Sequence, residues 1–370
     1  MNVVIAGGGT AGHVFPALAT ADALRERHDA SITYLGSADG PEATLVPEAG
    51  YPFTALEVVS AQQRVSLRSL RAVRMTFAAA RACRPVVARA DVVLGAGGYA
   101  SAPATLAARR ARTPLVLLSP DSVPGAVTRI AARWATAIAT TFDATRARLP
   151  ARARVVRTGN PIRAAIASVP ARRPALMEEA WVTFDLDRTR RTLLVLGGSQ
   201  GALALDRAVA AALPLLRERG DLQLLVSTGR DHVDVVEAAV DVGASLLVRA
   251  VPSVERMELA LAVADLAVSR AGASVAELAA AGVPAILVPY PHATEHHQHE
   301  NAREVERAGG ALLVDQSDLT AEALARRIMD LMDDATTRAA MAGAALAWAL
   351  PDAAFRVADL LAEVARRPAS

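Results

Sequence analysis

Lysine is missing from this chain altogether, and cysteine occurs once, as Cys83. A lone cysteine excludes internal disulfides and thiolate metal clusters and suits a reducing compartment. With no lysine, all 40 Lys+Arg residues are arginine, set against 38 acids for a formal net charge of +2. An arginine-only basic set beside so much alanine is most simply a composition bias of the source, and the near-balance of charge speaks against a nucleic-acid binder. No run of about eighteen apolar residues exists, so nothing in the sequence should span a bilayer. The opening MNVVIAGGG carries no basic segment before its apolar stretch and passes straight into glycine, which reads as a strand and not as a signal peptide.

What is present is a globular composition, 52% hydrophobic and 21% charged, over 370 residues, enough for two domains each with its own core. Short apolar runs at 2–6, 31–35, 91–95, 115–118, 135–139 and 155–157 read as buried strands separated by helical stretches. After residues 158–163 and a polar, proline-bearing stretch at 170–191, the pattern restarts with strands at 192–196, 222–227, 246–248, 266–269 and 285–288. Residues 321–332, 336–350 and 351–366 read as closing helices. Both halves open with strand, glycine turn and helix, at Gly7-Gly8-Gly9 and at Gly197-Gly198, and a further glycine turn follows the strand at 91–95. The expected fold is therefore α/β, two Rossmann-like parallel-sheet domains facing across a cleft, divided as 1–160 and 161–350.

Several stretches carry chemistry. Gly7, Gly9 and Gly12 satisfy G-x-G-x-x-G, but the second strand ends in Gly36-Ser37 without the acid that would hold a dinucleotide ribose. The turn thus points to phosphate or diphosphate at a helix N-terminus and only poorly to NAD. Arg64, Arg68, Arg71, Arg74, Arg81 and Arg84 flank Val65, Leu67, Leu70, Val73, Met75 and Phe77 on a helix that could face its own core or an anionic membrane surface. His292, His296, His297 and His299 form no H-E-x-x-H set and have no cysteine partner, so no metal site is expected.

Taken in order, GGTAGHVFPALA at 8–19, GGYASAP at 97–103, GNPIR at 159–163, GGSQGA at 197–202, SRAGA at 269–273 and AELAAAGVPAILVPYPHATEHHQHENA at 276–302 resemble the MurG family. These are bacterial transferases that add N-acetylglucosamine from UDP-GlcNAc to lipid I, giving lipid II in peptidoglycan synthesis. The resemblance covers essentially the whole chain. It implies the GT-B architecture, with a final helix at 351–367 packing back on the first domain, an inverting mechanism, no metal cofactor, and a peripheral place at the cytoplasmic membrane face. It also implies UDP-GlcNAc and lipid I as substrates, contact with an anionic membrane through residues 64–84, and other cell-wall synthesis proteins as partners.

Residue roles follow from the same motifs. Glu277 falls at the family's ribose-binding glutamate and Val254 where the backbone meets uracil. Donor contacts fall at Thr10, Ala11, Gly12, Arg163, Ser199, Ala273 and Ser274, with His297, Gln298 and Asn301 at the sugar. His13 is the candidate base, with an imidazole that only bonds a diphosphate oxygen as its other reading. Thr10, His13, Gly97, Gly98, Tyr99 and Ser101 would meet the acceptor diphosphate.

Two departures stand out. Leu118-Ser119-Pro120-Asp121 replaces the family's His-Glu-Gln-Asn, which leaves no role for Ser119 and only Asp121 as an acceptor-side candidate, and Ser269 to Glu277 is one residue shorter than the common spacing. The first departure keeps a related GT-B transferase, a UDP-sugar epimerase or a UDP-sugar-binding regulator without turnover as alternatives. The second must be absorbed within residues 272–274 if Glu277 is to keep its direction.

Overall fold

The computed structural model describes residues 1–59, 67–198 and 201–366, with residues 67–70 described in backbone only. The chain divides into two compact units, residues 1–163 joined by the C-terminal segment from Pro351, and residues 164–350. No helix among the described residues is long and apolar enough to cross a membrane.

In the first unit β1 (Asn2–Ala6), α1 (Ala11–His28), β2 (Ser31–Ser37), α2 (Glu42–Glu48), β3 (Phe53–Leu56), α3 (Leu67–Val87) and β4 (Val92–Gly95) are followed by α4 (Ala102–Ala111), β5 (Leu115–Ser119), α5 (Ala126–Ala131), β6 (Ala137–Thr140) and β7 (Val155–Arg157). The strands form one parallel sheet in the order β3-β2-β1-β4-β5-β6-β7. Successive strand side chains point to opposite faces. In β1, Val3 and Ile5 accordingly join Val14, Leu18 and Leu24 of α1. Val4 and Ala6 join Ala79 and Cys83 of α3 and Ala104 and Ala107 of α4. Helices on both faces explain why β4 and β5 are buried at every residue and read as unbroken apolar runs.

The second unit runs α6 (Ala164–Ala167), α7 (Val169–Thr183), β8 (Arg191–Leu196), α8 (Leu203–Leu216), β9 (Leu222–Ser227), α9 (Val233–Glu237), β10 (Leu247–Val251), α10 (Met257–Val263) and β11 (Ala264–Ser269). It continues with α11 (Ser274–Ala280), β12 (Ala285–Leu287), α12 (His297–Arg307), β13 (Ala311–Leu313), α13 (Ala321–Asp333) and α14 (Ala335–Trp348). Its parallel sheet has the order β10-β9-β8-β11-β12-β13. The polar, proline-bearing stretch at 170–191 is in good part the helix α7. Pro170 stands in its first turn, where a missing N–H is tolerated, and Val169, Leu176 and Ala180 are buried.

The last helix, α15 (Ala353–Arg366), belongs to the first unit. Val357, Leu361 and Val364 enter the core shared with α1. Asp359 binds Arg27 at 2.7 Å and His28 at 2.9 Å, and Glu363 takes Arg154 at 2.6 Å.

Each sheet changes winding direction once, between β1 and β4 and between β8 and β11. Open parallel sheets bind ligands beyond the carboxyl ends of the strands at such a point. Residues 7–10 and 96–99 occupy that place in the first unit, and residues 197–198, 201–202 and 270–273 in the second.

Candidate functional site

In the first unit the β1 turn delivers Thr10 in extended conformation to the start of α1, where its side chain makes no cap bond. Its hydroxyl lies 2.9 Å from His13 Nδ1 instead. If Nδ1–H donates to Thr10, Nε2 carries the lone pair that a base needs. The β4 turn lies directly against this pair: the Gly8 N–H donates to the Gly97 carbonyl at 3.4 Å. A Cβ on Gly97 would stand 2.6 Å from His13 Cδ2, and one on Gly98 2.0 Å from the Gly8 carbonyl oxygen, so only glycine fits at either place. Tyr99 packs against Gly9 closely enough that a Cβ there would be 2.7 Å from Tyr99 Cε1.

The first unit thus brings together Thr10, Ala11, Gly12, His13, Gly97, Gly98 and Tyr99. Ser101 is buried, and its hydroxyl donates to the Gly98 carbonyl at 2.8 Å, so it shapes the turn. The Asp121 carbonyl accepts from Thr145 Oγ1 at 3.2 Å and from the buried Ser119 hydroxyl at 3.4 Å, which holds the substituted segment in place. Arg163 lies over the Phe15 ring of α1, 4.8 Å from its centroid.

In the second unit Ser199 and Gln200 lie outside the described residues. Around them, Gly201 has φ +74°, and a Cβ there would meet the Thr228 carbonyl oxygen at 2.3 Å and His232 Nδ1 at 3.0 Å. His232 Nδ1 approaches Asp206 Oδ2 of α8 at 3.3 Å, without the alignment of a hydrogen bond. Asp206 is fully buried, and burial pushes its carboxyl up to about 6, with His232 opposing.

Buried Arg270 donates to the carbonyls of Val288 at 3.1 Å and Pro289 at 3.3 Å and to Gln316 Oε1 at 2.7 Å. Burial weakens its hold on its proton and Asp206 partly restores it. Its carbonyl accepts from the Ser269 hydroxyl at 2.9 Å and the Ser274 hydroxyl at 3.1 Å, which closes the turn before α11. Ala273 flanks that helix and Glu277, half-buried, stands in its first turn.

Beside this turn, fully buried Asn301 donates its Nδ2–H to the Ala271 carbonyl at 3.0 Å. The Gln298 Oε1 accepts from the Tyr290 N–H at 2.9 Å, and His297 Nδ1 stands 3.0 Å from the Thr294 carbonyl. Val254 is half-buried in the loop between β10 and α10. His299 pairs with Asp315 at 3.4 Å and His292 meets the Tyr290 ring edge-on, so these histidines have separate surroundings. Among the described residues no group of three or more His, Cys, Asp or Glu could hold a metal ion.

Of the two orientations open to the arginine-rich helix, the described part of α3 does not turn its larger apolar residues to the core. Arg64 and Val65 lie outside the described residues. Within α3 the buried face is Ala72, Ala79, Ala80, Cys83 and Val87, whereas Val73 and Phe77, expected on the apolar stripe, are each 48% exposed. Arg71, Arg74, Arg81 and Arg84 are exposed with them. Small residues suit the close approach of α3 to α4, so the larger apolar side chains stay outside.

Glu42, Asp206 and Arg270 are buried charges that sequence reasoning missed, because a charged residue on a helix or at a strand end ordinarily reads as solvated.

Residues 3–140 match the family model described as the glycosyltransferase family 28 N-terminal domain, and residues 192–360 the family 28 C-terminal domain. The fold and paired glycine turns are those of a two-domain sugar-nucleotide transferase. A UDP-N-acetylglucosamine–N-acetylmuramyl-(pentapeptide) pyrophosphoryl-undecaprenol N-acetylglucosamine transferase from Nocardioides sp. is 43% identical over 369 residues, 98% of each chain. The crystal structure of Acinetobacter baumannii MurG superposes with a TM-score of 0.77 at 31% identity, over 98% of this chain and 99% of that one. The chain belongs to the MurG family of N-acetylglucosamine transferases. A UDP-GlcNAc 2-epimerase from Neisseria meningitidis, bound to UDP-GlcNAc, shares the fold with a TM-score of 0.70 over 98% of this chain and 100% of its own, at only 13% identity.

Proposed function

We propose that this protein transfers N-acetylglucosamine from UDP-GlcNAc to the C4 hydroxyl of the lipid I muramoyl sugar, giving lipid II. The observation that carries this reading is whole-length identity of 43% to a protein of that name. Both units keep a glycine turn at the switch point of their sheet, as a reaction between two diphosphate-bearing substrates needs.

In the reaction the acceptor O4 forms a bond to C1 of GlcNAc, the bond from C1 to the UDP oxygen breaks, and the anomeric centre inverts. The hydroxyl proton passes to a base and the charge on departing UDP is met by N–H groups and arginine. The first unit takes the acceptor. His13 is its base, oriented by Thr10, and Gly97, Gly98 and Tyr99 meet the acceptor diphosphate, with Ser101 shaping their turn and Asp121 farther along. The second unit takes the donor. Glu277 binds the ribose hydroxyls, Val254 the uracil through its backbone, and Ser199, Ala273 and Ser274 the diphosphate, joined by Arg163 and by Thr10, Ala11 and Gly12. Gln298 and His297 meet the sugar, and Asn301 acts beside them through its hold on Ala271.

Charge on the leaving group is handled by protein groups, so the reaction requires no metal. The protein works as a peripheral enzyme at the cytoplasmic face of the membrane, with the arginine face of α3 against anionic lipid. Its neighbours there are other proteins of cell-wall synthesis.

The test is transfer from radiolabelled UDP-GlcNAc to lipid I. Lipid II formation with UDP release that depends on lipid I is expected. UDP release without lipid I would favour epimerase chemistry, and UDP-GlcNAc binding without any product a regulator.

A further inference from the structure

The reaction scheme leaves one fully buried acid unused. Glu42, the first residue of α2, has no exposed surface. Its Oε2 accepts the Gly9 N–H at 2.9 Å and its Oε1 the Ser37 N–H at 2.9 Å. Gly9 lies in the turn after β1 and Ser37 ends β2, so one carboxylate ties together the carboxyl ends of two neighbouring strands.

The chamber around it is made by glycine. A Cβ on Gly8 would come within 2.0 Å of Glu42 Oε1, one on Gly40 within 2.3 Å of Oε2, and one on Gly36 within 2.5 Å of Cγ. An ionised carboxylate out of water is costly unless its oxygens are bonded, and charge-assisted bonds to backbone N–H groups are the strong kind. The arrangement also sets a carboxylate against the first part of the G-x-G-x-x-G turn, where it takes the Gly9 N–H.

We propose that Glu42 is a positioning residue for glycosyl transfer: by fixing Gly9 it sets Thr10, and through the Thr10–His13 contact it sets the direction of the imidazole. The chain of contact is short. Gly9 precedes Thr10 and packs against Tyr99, while Gly8 is bonded to Gly97 beside His13. Displacement of the turn by an ångström or so would move every group proposed to meet the acceptor, and misplacement on that scale can cost about a hundredfold in rate. Of the groups proposed to bind the donor, those in the second unit would be untouched, and only Thr10, Ala11 and Gly12 would shift with the turn. The proposal rests on the transferase reading above.

The test uses the full-length protein with Glu42→Gln and Gly40→Ala. It measures kcat for lipid II formation, the KM for UDP-GlcNAc, UDP affinity by calorimetry, and thermal melting. Glutamine keeps the shape but turns an NH2 group toward one of the two N–H donors. Its kcat is expected to fall roughly 10- to 100-fold while donor KM and UDP affinity, set mainly by the second unit's groups and only in part by Thr10, Ala11 and Gly12, change by no more than roughly threefold. Alanine at Gly40 leaves the acid in place and pushes its carboxyl aside, so the same signature is expected at roughly three- to tenfold.

A folded Glu42→Gln protein with parental kcat would overturn the proposal, as would loss of UDP affinity in parallel with kcat. Should that variant not fold, a folded Gly40→Ala protein with unchanged kcat overturns it equally. A parent that makes no lipid II would strike down the transferase reading itself and the proposal with it, a result separable by its appearing before any substitution.

Discussion

The two units solve the same topological problem with opposite internal charges. Both sheets reverse winding next to a strand that ends in a glycine turn. In the first unit that turn encloses an acid, Glu42, which takes the Gly9 N–H. In the second, the neighbouring turn is built over a base, Arg270, bonded to carbonyls after β12, with Asp206 as its partial counter-charge. The buried acid takes the Gly9 N–H away from any substrate anion, which leaves Thr10, His13 and the 97–99 turn as the groups proposed for that role. A buried cation near the second turn would favour a diphosphate there. Shared topology therefore carries unshared chemistry, and the difference lies in side chains that never reach the surface.

The sharpest way to break this division is to change one group on each side of it. His13→Ala is expected to lower kcat by roughly 100- to 10,000-fold, the range for removing a general base, with UDP affinity by calorimetry unchanged. Glu277→Ala is expected to act on the other quantity, raising the donor KM on the order of tenfold or more for loss of charged hydrogen bonds, with a much smaller fall in kcat. Steady-state kinetics with varied UDP-GlcNAc separates the two. Parental donor affinity in Glu277→Ala, or lost UDP binding in His13→Ala, would show that the units do not divide the substrates in this way.

Asp206 offers a smaller effect that tests the internal charge of the second unit alone. Its carboxyl titrates at about 6 in the folded protein because it is buried, above the ordinary range of an exposed aspartate. The folded state then holds that proton more tightly than the unfolded chain. Stability from this source is full below about pH 4 and is lost as pH rises toward about 6, where the buried group must ionise. Each pKa unit is worth about 1.4 kcal/mol. Asp206→Asn should therefore be more stable than the parent by about 3 kcal/mol at pH 7.5, with the gap closing near pH 4. Denaturant unfolding at the two pH values measures it. A pH-independent gap would mean that His232 already compensates the charge.

Much of this architecture is legible along the chain. Strand, glycine turn and helix occur in that order at β1 and β8, the first strand of each sheet along the chain, because an apolar run, a residue free of Cβ and an alanine-rich stretch each have a local physical cause. Contacts across the chain are what hide the rest. Glu42 follows Gly40 and Pro41 at the start of a short helix and looks like any solvated first-turn acid. Only the fold brings Gly8, Gly36 and Gly40 around it. Helix α7 was masked by Pro170 and Pro174, although Val169, Leu176 and Ala180 mark its buried face. Asn301 was legible as a site residue by motif, but its bond to the Ala271 carbonyl depends on β11 and α12 being neighbours.

The smallest expected effect concerns the outside of the first unit. The sequence left Val73 and Phe77 on an apolar stripe that could face the core or a membrane, and alanines and Cys83 make the core contact. Val73 and Phe77 remain at 48% exposure, with Arg110 stacked over the Phe77 ring at 5.3 Å. An apolar pair that the core does not use, ringed by Arg71, Arg74, Arg81 and Arg84, has the composition of a surface that rests on anionic lipid. Phe77→Ser should then weaken binding to vesicles containing anionic phospholipid by roughly threefold to fivefold. It should leave turnover of a water-soluble, short-chain lipid I analogue unchanged, since Phe77 lies outside the groups assigned to the reaction. Partitioning equal to the parent's would place the lipid-facing side elsewhere on the first unit, and equal losses on both substrates would mean that Phe77 supports the fold of α3 instead of its contact with lipid.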